Sequence, residues 1–173
     1  MVKITFLGAG STVFAKNVLG DCILTPEIGE MHFALYDIDL KRLEDSRLML
    51  ENINKKYNGK ATIRSYTDRK EALRGADFIV NAIQVGGYEP CTVIDFEIPN
   101  KYGLRQTIAD TLGVGGIFRA LRTIPVLEDF ARDIEEVCPN ALFLNYPLSL
   151  VTCRNGEGSR NAALLPCAGH CFS

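Results

Sequence analysis

The sequence predicts an α/β fold, a parallel sheet doubly wound with helices, formed by residues 1–150 and followed by an irregular tail over 151–173. Three observations predict it. A short apolar run, Ile4, Phe6 and Leu7, passes directly into Gly8-Ala-Gly10 and then into a helical pattern. A second apolar run, Met31 to Tyr36, ends in Asp37-Ile38-Asp39. Strand-like and helix-like stretches then alternate as far as Asn145, and such alternation builds parallel strands joined by right-handed crossovers.

In order, the first strand lies within Lys3 to Leu7, where both faces are apolar, as in a buried parallel strand. Ser11 or Thr12 caps a helix that runs to about Leu24, with Val13, Phe14, Val18 and Leu19 on its apolar side, and Thr25-Pro26 ends it. Met31 to Tyr36 is the second strand. Asp39 fits the N-cap of a second helix, roughly Leu40 to Tyr57. There Leu43, Leu50, Ile53 and Tyr57 recur at helical spacing, Leu48 and Met49 widen the stripe, and Asn58-Gly59 stops it. Ala61 to Tyr66 alternates as a third strand. Asp68 caps a short helix to Leu73, ended by Gly75. Phe78 to Ala82 and Ala141 to Asn145 are two further buried strands, and a long helix from Ile117 to about Val137 precedes the last. Thr92 to Tyr102 is amphipathic.

Length and composition narrow the class. At 173 residues the chain is long enough for one domain with a real core. Its 47% hydrophobic and 23% charged residues are ordinary for a soluble globular protein. The net charge is −2, without a basic run or basic–aromatic interleaving, which argues against a nucleic-acid partner. No apolar run reaches the ~18 residues that span a membrane. The N-terminal apolar segment is short and runs into glycines, unlike a cleavable signal. Together these features predict a cytoplasmic protein with no membrane partner. Of the six cysteines, Cys22, Cys91 and Cys138 are scattered, whereas Cys153, Cys167 and Cys171 crowd the tail. Without a secretion signal they do not read as a disulfide framework, and the first three are expected to be free, partly buried thiols.

The chemistry concentrates where strands end. A strand, a Gly-x-Gly turn and a helix form an anion site, because glycine lets the backbone approach a pyrophosphate and the helix start offers free N–H groups. Val13 stands where the dinucleotide fingerprint has its third glycine, so the helix must tolerate a side chain there. Asp37, at the end of strand two and more than ~20 residues past the glycines, is placed to hold a ribose diol, which favours NAD over NADP. These features together define a Rossmann-type dinucleotide-binding unit. Ile83-Gln-Val-Gly86-Gly87-Tyr-Glu-Pro90 follows a strand, and Asn81 and Gln84 are placed to reach cofactor or substrate; a plain turn is the alternative. Gln106 to Gly116, polar and glycine-punctuated, is a second anion or substrate loop before the long helix. Arg119 and Arg122 lie early in that helix, where cations are disfavoured, so an acidic partner or ligand is expected for them; solvated arginines are the alternative.

Several motifs carry a family likeness. Gly8-Ala-Gly-Ser-Thr12, Tyr36-Asp-Ile-Asp39, Ile83-Gln-Val-Gly-Gly-Tyr88, Gln106-Thr-Ile-Ala-Asp-Thr-Leu-Gly113, Gly115-Gly-Ile-Phe-Arg119 and Phe143-Leu-Asn-Tyr146 resemble, in order and spacing, the NAD-dependent glycoside hydrolases of family 4, in particular its bacterial α-galactosidases. The likeness runs from Met1 to about Tyr146. It implies a domain like the N-terminal part of lactate and malate dehydrogenases, with a C-terminal catalytic part absent from this chain. It also implies an NAD cofactor and a divalent metal, typically Mn2+. The implied reaction oxidises the C3 hydroxyl of the sugar, eliminates the glycosidic bond after loss of the C2 proton, adds water and returns the hydride, unlike the two-carboxylate route of most glycosidases.

Carried over by position, the resemblance implies NAD contacts at Gly8, Gly10, Ser11 and Asp37, with Asn145 near the nicotinamide end of the sheet; Thr12, Asn81 and Gln84 complete the candidate cofactor set from their places beside the glycine turn and after the fourth strand. It implies a substrate contact at Thr92 and a supporting acid for the catalytic base at Asp110; Arg119, from its place early in the long helix, is the second candidate substrate residue. The chain departs from the family after Tyr146. It reads Asn145-Tyr146-Pro147 where the family usually reads Asn-Tyr-Thr-Asn-Pro, and Ala168-Gly169-His170-Cys171 where the family has a Gly-Leu-Cys-His-type segment. Cys171 and His170 are the candidate metal ligands. Residues 154–173 do not otherwise resemble the family, as a truncation or frameshift would leave them. The expectation is an α-galactosidase, homo-oligomeric when full length, whose present chain binds NAD at best weakly and hydrolyses nothing alone. A glucoside or a galacturonide remains open as the sugar. A malate-type dehydrogenase or a non-catalytic nucleotide-binding module remains open as the function.

Overall fold

Five strands run parallel in the order β3-β2-β1-β4-β5: β1 (Val2–Leu7), β2 (Met31–Tyr36), β3 (Ala61–Tyr66), β4 (Phe78–Asn81) and β5 (Leu142–Asn145). The computed structural model describes residues 1–106 and 113–146. One face of the sheet presents Ile4, Phe6, Phe33, Leu35, Ile63 and Val80 to α1 (Thr12–Ile23) and α2 (Leu40–Lys56). The other presents Leu7, Ile79 and Phe143 to α3 (Arg69–Leu73) and α5 (Gly113–Val137). Apolar side chains on both faces are what a doubly covered parallel sheet needs. A further helix, α4 (Val93–Lys101), packs on α5. The order reverses at β1, whose neighbours are β2 on one side and β4 on the other. Leu7 is level with Tyr36 and with Asn81, and Asn81 with Asn145, so four strands end at one rim.

Strands β2 and β3 and helix α3 have the predicted limits. Asp39 caps α2 as expected, accepting from the backbone N–H groups of Lys41 and Arg42 at 3.1 Å each. Asp39→Ala is expected to lower unfolding free energy by about 1 kcal/mol without moving the crevice described below, as read by urea denaturation.

Four details differ from expectation. Val13 is 73% exposed, so the side chain in place of a third glycine points away from the sheet and never meets it. Leu48 and Tyr57 are also exposed, and α2 instead buries Leu43, Ser46 and Leu50. Ser11 occupies the N-cap position of α1 but makes no side-chain cap, and Thr12 is the first helical residue. Helix α5 starts at Gly113 rather than at Ile117, with Gly115 and Gly116 buried in its first turn. Cys22, Cys91 and Cys138 are free, as expected, and burial pushes the Cys22 and Cys138 thiols above their ordinary pKa. Among the described residues no helix is long and apolar enough to cross a membrane.

Candidate functional site

Open α/β sheets take ligands outside the carboxyl ends of the strands, where the strand order reverses. Here that crevice lies between the ends of β1 and β4. The Gly8-Ala9-Gly10 turn is held by the protein itself. The N–H groups of Gly8 and Ala9 both donate to Tyr36 O, at 3.0 and 3.1 Å. Gly8 has φ +87°, and a side chain on it would lie 2.8 Å from the Ala82 carbonyl carbon and oxygen. The turn therefore has to be glycine if β1 and β4 are to stay this close at their ends.

Asp37 joins the ends of β1 and β2. Its Oδ2 accepts from Gly10 N–H at 2.6 Å, and its Oδ1 accepts from Asp39 N–H at 2.9 Å. A Cβ on Gly10 would fall 2.7 Å from the same Oδ2. An ionised carboxylate has about four acceptor positions, and two backbone donors leave room for a diol. Ser46, which sequence reading missed, donates to Ala9 O at 2.6 Å from the buried face of α2. Its spacing with Leu43 and Leu50 was the available signal. The Thr12 hydroxyl faces Gly10 O and Ser46 Oγ at 3.4 Å each.

Across the crevice, Asn81 and Asn145 meet side by side. Asn81 is fully buried, and its Nδ2 donates to Asn145 Oδ1 at 2.8 Å. Asn81 Oδ1 is buried without a hydrogen-bond partner. The ring of Tyr146 lies over Phe14, with centroids 3.9 Å apart, giving this end of the crevice an apolar wall. Gln84 is exposed and donates to Thr92 Oγ1 at 3.3 Å, and Thr92 Oγ1 donates to Gly87 O at 3.3 Å. The residues placed by sequence at cofactor and at substrate thus share one loop.

The acidic partner expected for the early arginines of α5 is internal for Arg122. Arg122 grips Asp95 of α4 with two hydrogen bonds, Nη1 to Oδ1 at 3.1 Å and Nη2 to Oδ2 at 2.6 Å, while its Nε donates to Val85 O at 3.1 Å. Asp95 is 3% exposed. The bonded carboxylate holds the guanidinium above its ordinary pKa. One cation thus ties the loop after β4 to two helices. Arg119 is half-buried one turn earlier, and its carbonyl accepts from Thr123. Arg122→Met leaves a buried carboxylate unpaired, and is expected to destabilise the fold by about 3 kcal/mol in thermal or urea unfolding.

Asp110, Cys171 and His170 lie outside the described residues. Among the described residues no three His, Cys, Asp or Glu side chains converge as a metal centre. His32 is on β2 at the end away from the crevice, its Nε2 3.4 Å from Tyr66 Oη. Burial lowers its pKa, helped by Lys3 and Arg64. It is not placed to act as a dehydrogenase base.

Comparison with known proteins gives a consistent picture. Residues 3–155 match the model of the family 4 glycosyl hydrolases. An α-galactosidase of Bacillus subtilis (strain 168) is 66% identical over 152 residues, covering 88% of this chain and 35% of the relative. An α-galactosidase of Rhizobium meliloti (strain 1021) is 39% identical over 153 residues, covering 87% and 31%. The chain therefore spans about a third of the length of these curated relatives. A crystal structure of a 6-phospho-α-glucosidase from gut microorganisms, in complex with NAD and Mn2+, superposes with a TM-score of 0.74 at 26% identity, covering 87% of this chain and 33% of that one.

Proposed function

The chain belongs to glycosyl hydrolase family 4, and from that premise we propose that it forms the dinucleotide-holding part of an NAD-dependent α-galactosidase. The observation that carries the reading is the Asp37 carboxylate, fixed beside Gly10 at the end of β2 with acceptor positions to spare. A ribose diol donates two hydrogen bonds, and a 2′-phosphate in the same place is repelled, so NAD is the cofactor rather than NADP. The start of α1 receives the pyrophosphate at N–H groups of its first turn beyond Thr12, because those of Ser11 and Thr12 already donate to Gly8 O and Gly10 O at 3.1 and 2.9 Å. Gly8, Gly10, Ser11 and Thr12 form that turn, Asp37 orients the adenosine ribose, and Asn81, Gln84 and Asn145 face the nicotinamide end. Thr92 and Arg119 contact the sugar, and Asp110 supports the base.

The α-galactoside substrate rests on the 66% identity to the Bacillus α-galactosidase. NAD, when bound, supplies a reversible hydride acceptor for a sugar hydroxyl. Within this chain, Asp37 holds and orients, the glycine turn lets the anion approach the start of α1 closely, and Phe14 and Tyr146 form an apolar wall on one side. The structural relative holds Mn2+. For this protein Cys171 and His170 are the proposed ligands of a divalent metal; among the described residues no three His, Cys, Asp or Glu side chains converge as such a centre.

A chimera tests the reading. Residues 1–146 replace the matching segment of the Bacillus α-galactosidase, and hydrolysis of p-nitrophenyl α-galactoside is followed with and without NAD+. The expected result is NAD+-dependent hydrolysis within about tenfold of the parent, a difference of about 1.4 kcal/mol in the barrier. A folded chimera that binds NAD+ but hydrolyses only other glycosides contradicts the substrate. A folded chimera that hydrolyses without NAD+ contradicts the cofactor.

A further inference from the structure

The paired asparagines at the ends of β4 and β5 carry a more specific inference, which rests on the dinucleotide reading above. Asn81 is fully buried and level with Leu7 at the strand end that enters the Gly8 turn. Its backbone carbonyl is used by Tyr146 N–H at 2.9 Å, and its Nδ2 by Asn145 Oδ1 at 2.8 Å. Its Oδ1 has no partner. Buried side-chain acceptors are almost always satisfied, and an exception asks for an explanation. Asn145 lies half-buried beside it, with its Oδ1 already accepting from Asn81, and its Nδ2 is the donor its amide has to offer.

The two side chains together therefore place an unpartnered acceptor, Asn81 Oδ1, beside a donor, Asn145 Nδ2. A primary carboxamide has the complementary pair, a donating NH2 and an accepting C=O. We propose that Asn81 and Asn145 form a carboxamide-reading pair, in which Asn145 Nδ2 donates to the carbonyl of the nicotinamide carboxamide and Asn81 Oδ1 accepts from its NH2. Asn81 has a second role as a positioning residue, because its Nδ2 fixes which way the Asn145 amide faces. The consequence is chemical selectivity. A ligand that keeps the carbonyl but lacks the NH2 leaves Asn81 Oδ1 unpaired in a buried place. Sites built on a buried polar group reject the analogue that cannot pair with it far more strongly than a hydrophobic pocket rejects a missing methylene.

The test is equilibrium binding to the full chain, by calorimetry or ligand-observed NMR. Three probes are used: NAD+, its 3-acetylpyridine analogue, which has a methyl ketone in place of the carboxamide, and ADP-ribose, which lacks the nicotinamide. The wild-type chain is expected to bind NAD+ at least tenfold more tightly than the acetylpyridine analogue. Asn81→Leu removes the unpaired acceptor, so the ratio is expected to fall to within about threefold, while ADP-ribose binds as before. Asn81→Asp keeps the acceptor and loses the donor to Asn145, and serves if the leucine variant does not fold. Its carboxylate accepts from Asn145 Nδ2, turning Asn145 Oδ1 outward, so binding of the acetylpyridine analogue is expected to fall further than that of NAD+.

Equal binding of NAD+ and the acetylpyridine analogue by the wild-type chain overturns the proposal, as does an unchanged ratio in the folded variants. Weakening of ADP-ribose in step with NAD+ also overturns it, because the pair would then be supporting the fold alone. If the chain binds neither ADP-ribose nor NAD+, the dinucleotide reading itself fails. Binding of ADP-ribose with no selectivity at the nicotinamide end removes this inference only.

Discussion

Asp37→Ala is expected to weaken NAD+ binding by about a hundredfold. Asp37 does two things at once. Its Oδ2 fixes Gly10 N–H at 2.6 Å, shaping the turn that is the proposed pyrophosphate site. Its remaining acceptor positions are the ones proposed to hold the ribose diol. Hydrogen bonds to a charged group contribute about 1.5–3 kcal/mol each, and tenfold in affinity is about 1.4 kcal/mol, so losing the diol contact and the shaped turn reaches two orders of magnitude. NADP+ should behave differently. Removing the carboxylate also removes its repulsion of a 2′-phosphate, so the preference for NAD+ over NADP+ narrows even as both bind poorly. Titration of both cofactors against the wild type and Asp37→Ala checks this. A variant that loses NAD+ binding and keeps the original preference would place the ribose somewhere other than Asp37.

Gly8→Ala is expected to destabilise the fold by about 3–4 kcal/mol. The left-handed conformation at φ +87° costs a side-chain-bearing residue about 1–2 kcal/mol. The added Cβ would also stand 2.8 Å from Ala82 C and O and 2.9 Å from Ile83 N, all backbone atoms that cannot rotate aside. Relieving such overpacking costs typically ~1–3 kcal/mol. Gly75→Ala separates the two effects, because Gly75 has φ +69° but nothing within 4 Å of the added Cβ. It should cost only the conformational part, about 1–2 kcal/mol. Urea denaturation of the two variants measures the difference. Equal losses would mean that β1 and β4 can part at Gly8 without strain, and that the tight rim is not a requirement of the fold.

The elements that could be read from sequence are those whose signals are local. Strands β2 and β3 alternate or run apolar between turn residues, and Asp39 and Asp68 announce the helices that follow. The place of Asp37 beside the glycine turn was legible because an acid at the end of a second strand, at that distance from a Gly-x-Gly turn, meets it across the rim of a parallel sheet. Tertiary contacts hid the rest. Gly113, Gly115 and Gly116 read as loop, yet Gln106 Oε1 accepts from Gly115 N–H at 3.2 Å, and packing carries the helix four residues further back than propensity allows. Val13 read as a core residue from helical spacing, but it faces outward while Phe14 and Ala15 of the same first turn of α1 pack against the core. That Arg122 needs an acidic partner was legible, but Asp95 stands 27 positions away on another helix, and no pattern in the chain picks it out. The orphaned acceptor of Asn81 likewise exists only once β4 and β5 are side by side.

The central claim is that a dinucleotide sits across the rim formed by β1, β2, β4 and β5. Backbone amide mapping by NMR tests it most directly, with NAD+ titrated into the isotope-labelled chain, since even millimolar binding shifts amide signals. The account predicts saturable shifts at Gly8 to Ser11, at Asp37 and at Asn81, Asn145 and Tyr146, with Lys3 and His32 at the opposite end of the sheet unmoved. Shifts confined to the groove between α1 and α2 around Lys16 and Asn52, or no shift at saturating NAD+ in a folded chain, would contradict it.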